Sequence, residues 1–380
     1  MKIGILTFHK SVNYGSVMQA WALQELIRSF GHSVEIIDYE PASYKLAYGI
    51  YLPGNSLKNI KKNISRIPIA GYKKSQAKFF KDFRDRQLNL SKEEYGIFSG
   101  PKELEGRYDL IICGSDQIWN VHAKDSDDFF FLPDVNIRKI AYAISINNTD
   151  FTEERCDERM KKAIRDFEFL SFREEAGAER VRDFIGRDRE VYTVLDPTLL
   201  HDKTDYDKIT GSRIIKGDYV FLYKVWNGKD SYKMAQTLGE RLGLPVYTLL
   251  LVNDARALCR IEKQGVKVLR KETRPEDYLS LIKNASYVMT DSFHGTAFSI
   301  IFERPFICVR EKRNNGKEKN DERIIGLLKT LGLENRYVAL SAMGEFDSNA
   351  VIDYEIITSR RRSVARDCAE MLKNAIETGM

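Results

Sequence analysis

The chain has 380 residues, long for one hydrophobic core and comfortable for two domains. Hydrophobic residues make up 43% and charged residues 30%, an ordinary composition for a globular protein. A net charge of +5 with a pI near 8.7 is too mildly basic to argue for nucleic acid and suits small anionic ligands better. No segment reaches the roughly 18 unbroken apolar residues of a membrane span. The opening MKIGILTFHK reads as a strand without a signal-peptide cleavage region, so the expected location is cytoplasmic. The cysteines, Cys113, Cys156, Cys259, Cys308 and Cys368, form no CxxC pair, and buried free thiols are expected rather than disulfides or a zinc site.

In chain order, Lys2 to Phe8 and Val34 to Asp38 read as buried strands. Between them Ala20, Leu23, Ile27 and Phe30 recur at helical spacing and Gly31 closes the helix, which makes a βαβ unit and predicts a parallel sheet. The turn HKSVNYGS before that helix lacks a GxGxxG fingerprint. Asn13 and Gly15 either hold a ligand there or form a cap and tight turn. Glu40 to Gly106 is the least regular region. Its basic stretch KKSQAKFFKDFRDRQLNL predicts a helix with Phe79, Phe80 and Phe83 buried and Lys73, Lys74, Lys78 and Lys81 mostly on the other side. Such a face is a solvated surface or one that meets an acidic glycan or anionic lipid headgroups, a peripheral membrane contact.

Tyr108 to Cys113 is another strand and empties into GSDQIWN. Ser115, Asp116, Gln117, Trp119 and Asn120 place hydrogen-bonding groups and an aromatic at a strand end, a mixture suited to sugar hydroxyls and C–H faces. The alternative is a turn whose Trp fills the core. Strands are expected at Ile140 to Ser145, Glu168 to Phe172 and Val191 to Leu195. Arg173 emerges at a strand end just before a helix, where its fork suits a carboxylate or phosphate. Asp196 and Pro197 close the first half, and His201 to Gly217 reads as a linker.

The second half restarts the alternation. Strands are expected at Tyr219 to Val225, Val246 to Val252 and Val266 to Leu269, with helices at Ser231 to Leu242 and Pro275 to Ala285. The stretch YVMTDSFHGTAFSIIFERPFICV, from Tyr287 to Val309, is strand, polar turn, helix and strand. A helix start after a strand offers free N–H groups and a positive dipole end to an anion. Gly295 and Thr296 sit there, beside His294, whose pKa near neutrality suits acid or base work; the other reading is a capping or core histidine. The charged loop Arg310 to Arg323 is a lid supplying cations or a solvated loop. Helices from Glu322 to Leu331 and from about Ser359 to Thr378 finish the chain. No His/Asp/Glu cluster at ligand spacing calls for a metal. The expected fold is α/β, with two Rossmann-like doubly wound domains (1–200 and 216–345), a cleft between them and a C-terminal helical segment (346–380), the architecture of the GT-B class of glycosyltransferases.

The ordered set NYGSVMQAWALQ, YDLIICGSDQIWN, SFRE, VLDPTLL and TDSFHGTAFSIIFERPFICV resembles the polysaccharide pyruvyl transferase family, from Met1 to about Leu333. The resemblance implies transfer of a pyruvyl group from phosphoenolpyruvate to two sugar hydroxyls as a cyclic ketal, with phosphoenolpyruvate as co-substrate, no further cofactor, and a sugar or lipid-linked oligosaccharide acceptor in polysaccharide biosynthesis. It implies His294 as the central catalyst and Arg173 as an anion-binding partner, with Asp291 orienting the histidine. Ser292, Gly295, Thr296 and Arg323 fall on the donor side, and Asn13, Gly15, Ser115, Asp116 and Trp119 on the acceptor side. Many members carry an arginine two residues before the histidine, where this chain has Ser292, followed by Phe293; Arg323 or a loop lysine is expected to replace that cation. A lipid-linked acceptor would bring the protein to the inner face of the membrane. Two rivals remain: a nucleotide-sugar glycosyltransferase, with Glu272 or Glu276 as ribose ligand, and a non-catalytic glycan-binding protein.

Overall fold

The computed structural model describes residues 1–54, 56–147, 149, 151, 156–225, 230–252, 255–271, 274–310 and 320–379, with Lys45 and Leu46 described by backbone only. The chain runs through β1 (Lys2–Leu6), α1 (Tyr14–Ser29), β2 (Ser33–Tyr39), α2 (Tyr44–Tyr48), α3 (Leu57–Gln87), β3 (Leu90–Tyr95), β4 (Leu110–Asp116) and β5 (Arg138–Ile144). Next come α4 (Glu158–Arg165), β6 (Phe169–Phe172), α5 (Glu175–Ile185), β7 (Tyr192–Thr193), α6 (Lys203–Asp207), β8 (Val220–Tyr223), α7 (Asp230–Leu242) and β9 (Val246–Leu249). The remainder is α8 (Ala255–Lys263), β10 (Lys267–Leu269), α9 (Pro275–Lys283), β11 (Tyr287–Thr290), α10 (Phe293–Ile301), β12 (Phe306–Arg310), α11 (Glu322–Leu331), β13 (Tyr337–Ala339) and α12 (Tyr354–Thr378).

Two parallel sheets result, with orders β3-β2-β1-β4-β5-β6-β7 and β10-β9-β8-β11-β12-β13. Strands such as β4 and β11 are buried along their whole length because helices cover parallel sheets on both faces, so apolar runs rather than alternation mark them. Each sheet grows outward in both directions from its first strand. The chain order therefore reverses between β1 and β4 in one sheet and between β8 and β11 in the other, and ligands of such sheets bind beyond the strand ends at these points. Full burial of a Leu, Ile or Phe side chain stabilises by roughly 1.5–3 kcal/mol. In α10 every residue from Phe293 to Ile301 is buried, so this helix is a core element as well as the support of the histidine.

The chain divides into two compact units, Met1–Gly49 with Lys81–His201 and Arg362–Met380, and Ile50–Phe80 with Asp202–Arg361. The boundary at His201 falls next to the expected 200. Residues 50–80, expected in the first domain, belong to the second unit, where Ile69 packs with Leu250 and Leu258. The C-terminal segment is not a separate body: its last residues return to the first unit, where Leu372, Ala375 and Ile376 are buried.

The stretch expected to be irregular contains the 31-residue α3, with Pro68 inside it. Phe80 and Phe83 are buried as expected, whereas Phe79 is half-buried, with the Arg274 guanidinium 5.1 Å from its ring centre. The expected linker is not free either. It forms α6, whose Tyr206 is fully buried and meets Phe298 edge-on at 5.0 Å. Between β9 and β10 the chain inserts α8, unanticipated from the sequence. Four cysteines are buried free thiols, as expected, and Cys259 is a free thiol at the surface.

Candidate active site

In the first unit the strand ends at the β1–β4 switch point carry a network of buried polar side chains. Gly114 has φ +122, and a Cβ there would stand 2.1 Å from the Tyr142 carbonyl oxygen, so only glycine lets β4 approach β5 this closely. The chain then turns through Asp116 at φ +76. Asp116 Oδ2 accepts from Ser16 Oγ at 2.5 Å and Oδ1 from Arg173 Nη2 at 3.1 Å. The other arm of the guanidinium, Nη1, donates to Asp196 Oδ2 at 2.8 Å. The Arg173 side chain is 1% exposed and that of Asp196 is fully buried. Ser115 Oγ lies 2.6 Å from the Ala143 carbonyl oxygen and 3.0 Å from Asp196 Oδ2. Asp196 also accepts from the Thr198 hydroxyl at 2.7 Å.

These contacts revise several sequence expectations. Arg173 was expected to clamp a donor anion; its two terminal nitrogens instead bridge two carboxylates of the protein, Asp116 and Asp196. Ser115 is fully buried within the same network and not at a sugar-binding surface. Trp119 belongs to the core: its ring stacks on Phe131 with centres 5.2 Å apart, and its Nε1 donates to the Phe130 carbonyl at 2.9 Å, so no face is left for a sugar. Asn13 is the N-cap of α1, its Oδ1 accepting from the Gly15 N–H at 3.0 Å and the Ser16 N–H at 3.4 Å. Capping thus occupies the Gly15 amide, and Asn13 remains exposed at the helix start.

The structure adds groups that the sequence reading missed. His9, fully buried just after β1, places Nδ1 3.1 Å from the Thr7 carbonyl oxygen and Nε2 2.9 Å from Asp38 Oδ1. Lys10 Nζ lies 2.9 Å from the same carboxylate oxygen. Burial alone would raise the Asp38 carboxyl, but His9 and Lys10 outweigh it and hold the group at about 2. Tyr48 donates to Asp125 Oδ2 at 2.7 Å, and burial pushes the Asp125 carboxyl up against that hydrogen bond. Only the position of His9, directly after the expected strand Lys2 to Phe8, and of Asp38, at the end of the expected strand Val34 to Asp38, signalled them.

In the second unit, Asp291 follows β11 and Lys224 follows β8, so the two flank that sheet's switch point. Asp291 Oδ1 accepts from the Val225 N–H at 2.7 Å, and Oδ2 stands 3.6 Å from Lys224 Nζ, with both side chains buried. Lys224 also lies 5.6 Å from the centre of the Tyr232 ring. The sequence reading overlooked this lysine, although its place directly after VFLY marks a strand end as plainly as Arg173 does.

Ser292 is the N-cap of α10. Its Oγ accepts from the Gly295 N–H at 3.4 Å, and its carbonyl accepts from the Thr296 N–H at 2.9 Å and the Thr296 hydroxyl at 3.0 Å. The amides of Gly295 and Thr296, expected to hold a donor anion, are therefore occupied within the helix. Gly295 serves close packing: a Cβ there would lie 2.2 Å from Thr290 Oγ1 and 2.9 Å from Tyr223 Cδ1. His294, in the first turn, is buried, with Phe293 edge-on at 5.2 Å. Arg323, expected to replace the family's missing cation, directs Nε and Nη2 to Asp321 at 2.8 and 2.5 Å and is engaged within its own helix start. The charged loop at 311–319 and Glu272 lie outside the described residues. Among the described residues no group of three or more His, Cys, Asp or Glu is placed to hold a metal ion.

Comparison with known structures bears on the fold. The UDP-GlcNAc 2-epimerase from Methanocaldococcus jannaschii is 13% identical over 98% of this chain and 99% of its own, with a TM-score of 0.55. The S. aureus MnaA–UDP co-structure is 9% identical over 99% of this chain and 96% of its own, with a TM-score of 0.52. At this identity the likeness shows the fold alone, two Rossmann-like α/β domains of the GT-B type. No curated protein sequence matches the chain. The family profile described as "Polysaccharide pyruvyl transferase" matches residues 13–313, a span that includes β4, Arg173, Lys224 and the Asp291–Gly295 turn. The chain belongs to the polysaccharide pyruvyl transferase family.

Proposed function

We propose that the protein transfers the pyruvyl group of phosphoenolpyruvate to two hydroxyls of a sugar, with release of phosphate and formation of a cyclic ketal. The observation that carries this reading is the family match together with a buried lysine and a histidine near the second sheet's switch point. Phosphoenolpyruvate brings a carboxylate and a phosphate, so its site requires positive charge. Lys224, at the strand end beside the start of α10, supplies it, in place of the arginine that Ser292 replaces.

His294 protonates the methylene carbon, which turns it into a methyl group and leaves C2 electrophilic. One sugar hydroxyl adds to C2, the C2–O bond to phosphate breaks, and the second hydroxyl adds. Of the two hydroxyl protons, one balances that given to the methylene and the other leaves with phosphate. Asp291, fixed by Val225 and Lys224, keeps the turn that carries His294 in place. On the acceptor side we assign Asp116, oriented by Ser16 and Arg173, and Asn13 as partners for sugar hydroxyls.

A thermal-shift titration tests the donor, because a ligand that binds only the folded state raises apparent stability. Phosphoenolpyruvate is expected to raise the melting temperature saturably and UDP-N-acetylglucosamine is not. The opposite pattern would favour a nucleotide-sugar enzyme, the reading suggested by the UDP bound in the S. aureus structure.

A further inference from the structure

Residues 50–80 contain seven lysines and arginines and no aspartate or glutamate. At the start of α3, Leu57, Ile60, Ile64 and Ile67 follow one another at intervals of three or four residues, so they share one helical face. That face is turned outward: Leu57 is 78% exposed, Ile60 43%, and Ile64 and Ile67 60% each. Tyr51, just upstream, is exposed as well.

The other side of the helix is tied down. Asn63 accepts from the Leu52 N–H at 2.8 Å and donates to the Leu52 carbonyl at 2.9 Å, and Arg66 donates to the Ile50 carbonyl at 3.1 Å. Ile69 and Ala70 are buried one turn further on. The apolar stripe is thus held in place facing solvent. Single exposed apolar residues are common on protein surfaces, but a stripe of four at helical spacing marks an interaction face. Lys61 is exposed on the flank of the stripe, and Lys58 and Lys62 are exposed on the side of the helix away from it.

We propose that this face of α3 docks on an anionic lipid bilayer. Leu57, Ile60, Ile64 and Ile67 enter the boundary between headgroups and acyl chains, while Lys61 reaches the lipid phosphates with its stem along the apolar surface and Lys58 and Lys62 add positive charge from the far side of the helix. Charge complementarity selects this occupant. A second copy of the chain would oppose one row of lysines to another, whereas an anionic bilayer matches both the stripe and the uniform positive charge around it. No helix among the described residues is long and apolar enough to cross a membrane, so the contact is with the bilayer surface. The proposal goes beyond the pyruvyl reading and does not depend on it; if both hold, a lipid-linked acceptor and the enzyme meet on the same surface.

Flotation with vesicles tests it, using phosphatidylcholine alone and phosphatidylcholine mixed with phosphatidylglycerol. The wild-type protein is expected to float with the mixed vesicles, not with phosphatidylcholine alone, and to dissociate in high salt. Removing the three cations together (Lys58→Gln, Lys61→Gln, Lys62→Gln) is expected to weaken partitioning by at least about fivefold, the contribution of Lys61 at the surface, with Lys58 and Lys62 each adding less than that from the far side of the helix. Ile60→Ser with Ile64→Ser is expected to abolish flotation and leave the melting temperature unchanged, since both side chains are exposed. Absence of flotation, equal binding to neutral vesicles, or indifference to both sets of substitutions would overturn the proposal. So would a lipid-free dimer that Ile60→Ser with Ile64→Ser dissociates, which would assign the face to a second copy.

Discussion

Arg173 Nη1 donates to Asp196 Oδ2 at 2.8 Å, between side chains that are almost wholly withdrawn from water. The same guanidinium holds Asp116 with its other arm, so one cation is shared by two buried carboxylates, at the end of β4 and in the segment after β7. Truncation to Arg173→Ala takes the shared cation from both carboxylates. The expected cost is about 3–5 kcal/mol of stability, read by chemical denaturation. Arg173→Lys is expected to recover only part of it, because an ammonium cannot reproduce the two-armed geometry. Unchanged stability in Arg173→Ala with loss of phosphoenolpyruvate binding would return the residue to the donor site.

Gly295 offers a second structural prediction. Gly295→Ala introduces a Cβ 2.2 Å from Thr290 Oγ1, which forces α10 off β11, and about 1–3 kcal/mol of stability is expected to be lost. Combining it with Thr290→Ala is expected to cost less than the sum of the two single changes, because the clashing hydroxyl is gone. Strict additivity in that cycle would contradict the packing role.

The His9–Asp38–Lys10 cluster predicts behaviour in acid. With Asp38 held at about 2, below its ordinary value of 3.8, its charged form contributes stability that is present above the ordinary value and is lost as pH falls through about 2. Melting temperatures of wild type and Asp38→Asn are therefore expected to differ most above pH 4 and to converge toward pH 2. A gap that stays constant across this range would mean that the carboxylate's charge is not what His9 and Lys10 stabilise.

His294→Gln tests the chemistry apart from binding. The side chain is buried in the first turn of α10, and the amide keeps a similar size, so fold and donor binding are expected to persist. Turnover is expected to fall by about 10²–10⁴, the usual contribution of a positioned acid or base. Full turnover would remove His294 from the proton transfer.

The two-sheet fold was legible because buried parallel strands such as LIIC in β4 and FICV in β12 are unbroken apolar runs separated by helical patterns. The placement of residues 50–80 in the second unit was not, since chain order gave no hint that Ile69 meets Leu250. Asp116, Asp291 and His294 were singled out by their place at or just after strand ends. Lys224 had the same signal and lacked only a motif around it. Trp119 and Arg173 misled for the opposite reason: side chains at a strand end point outward to a ligand or back into the protein, and only tertiary neighbours such as Phe131 and Asp196 decide which. The amides of Gly295 and Thr296 were likewise assigned to an anion, when Ser292 beside them supplies their acceptors.

Calorimetric titration of phosphoenolpyruvate into the wild-type protein, Lys224→Met and His294→Gln tests the central claim most directly. The account expects a saturable binding isotherm for wild type, its loss in Lys224→Met, and its retention in His294→Gln. An absence of binding to the wild-type protein, together with saturable binding of a nucleotide sugar, would contradict phosphoenolpyruvate as the donor. Undiminished binding to Lys224→Met would instead contradict the place of that lysine in the donor site.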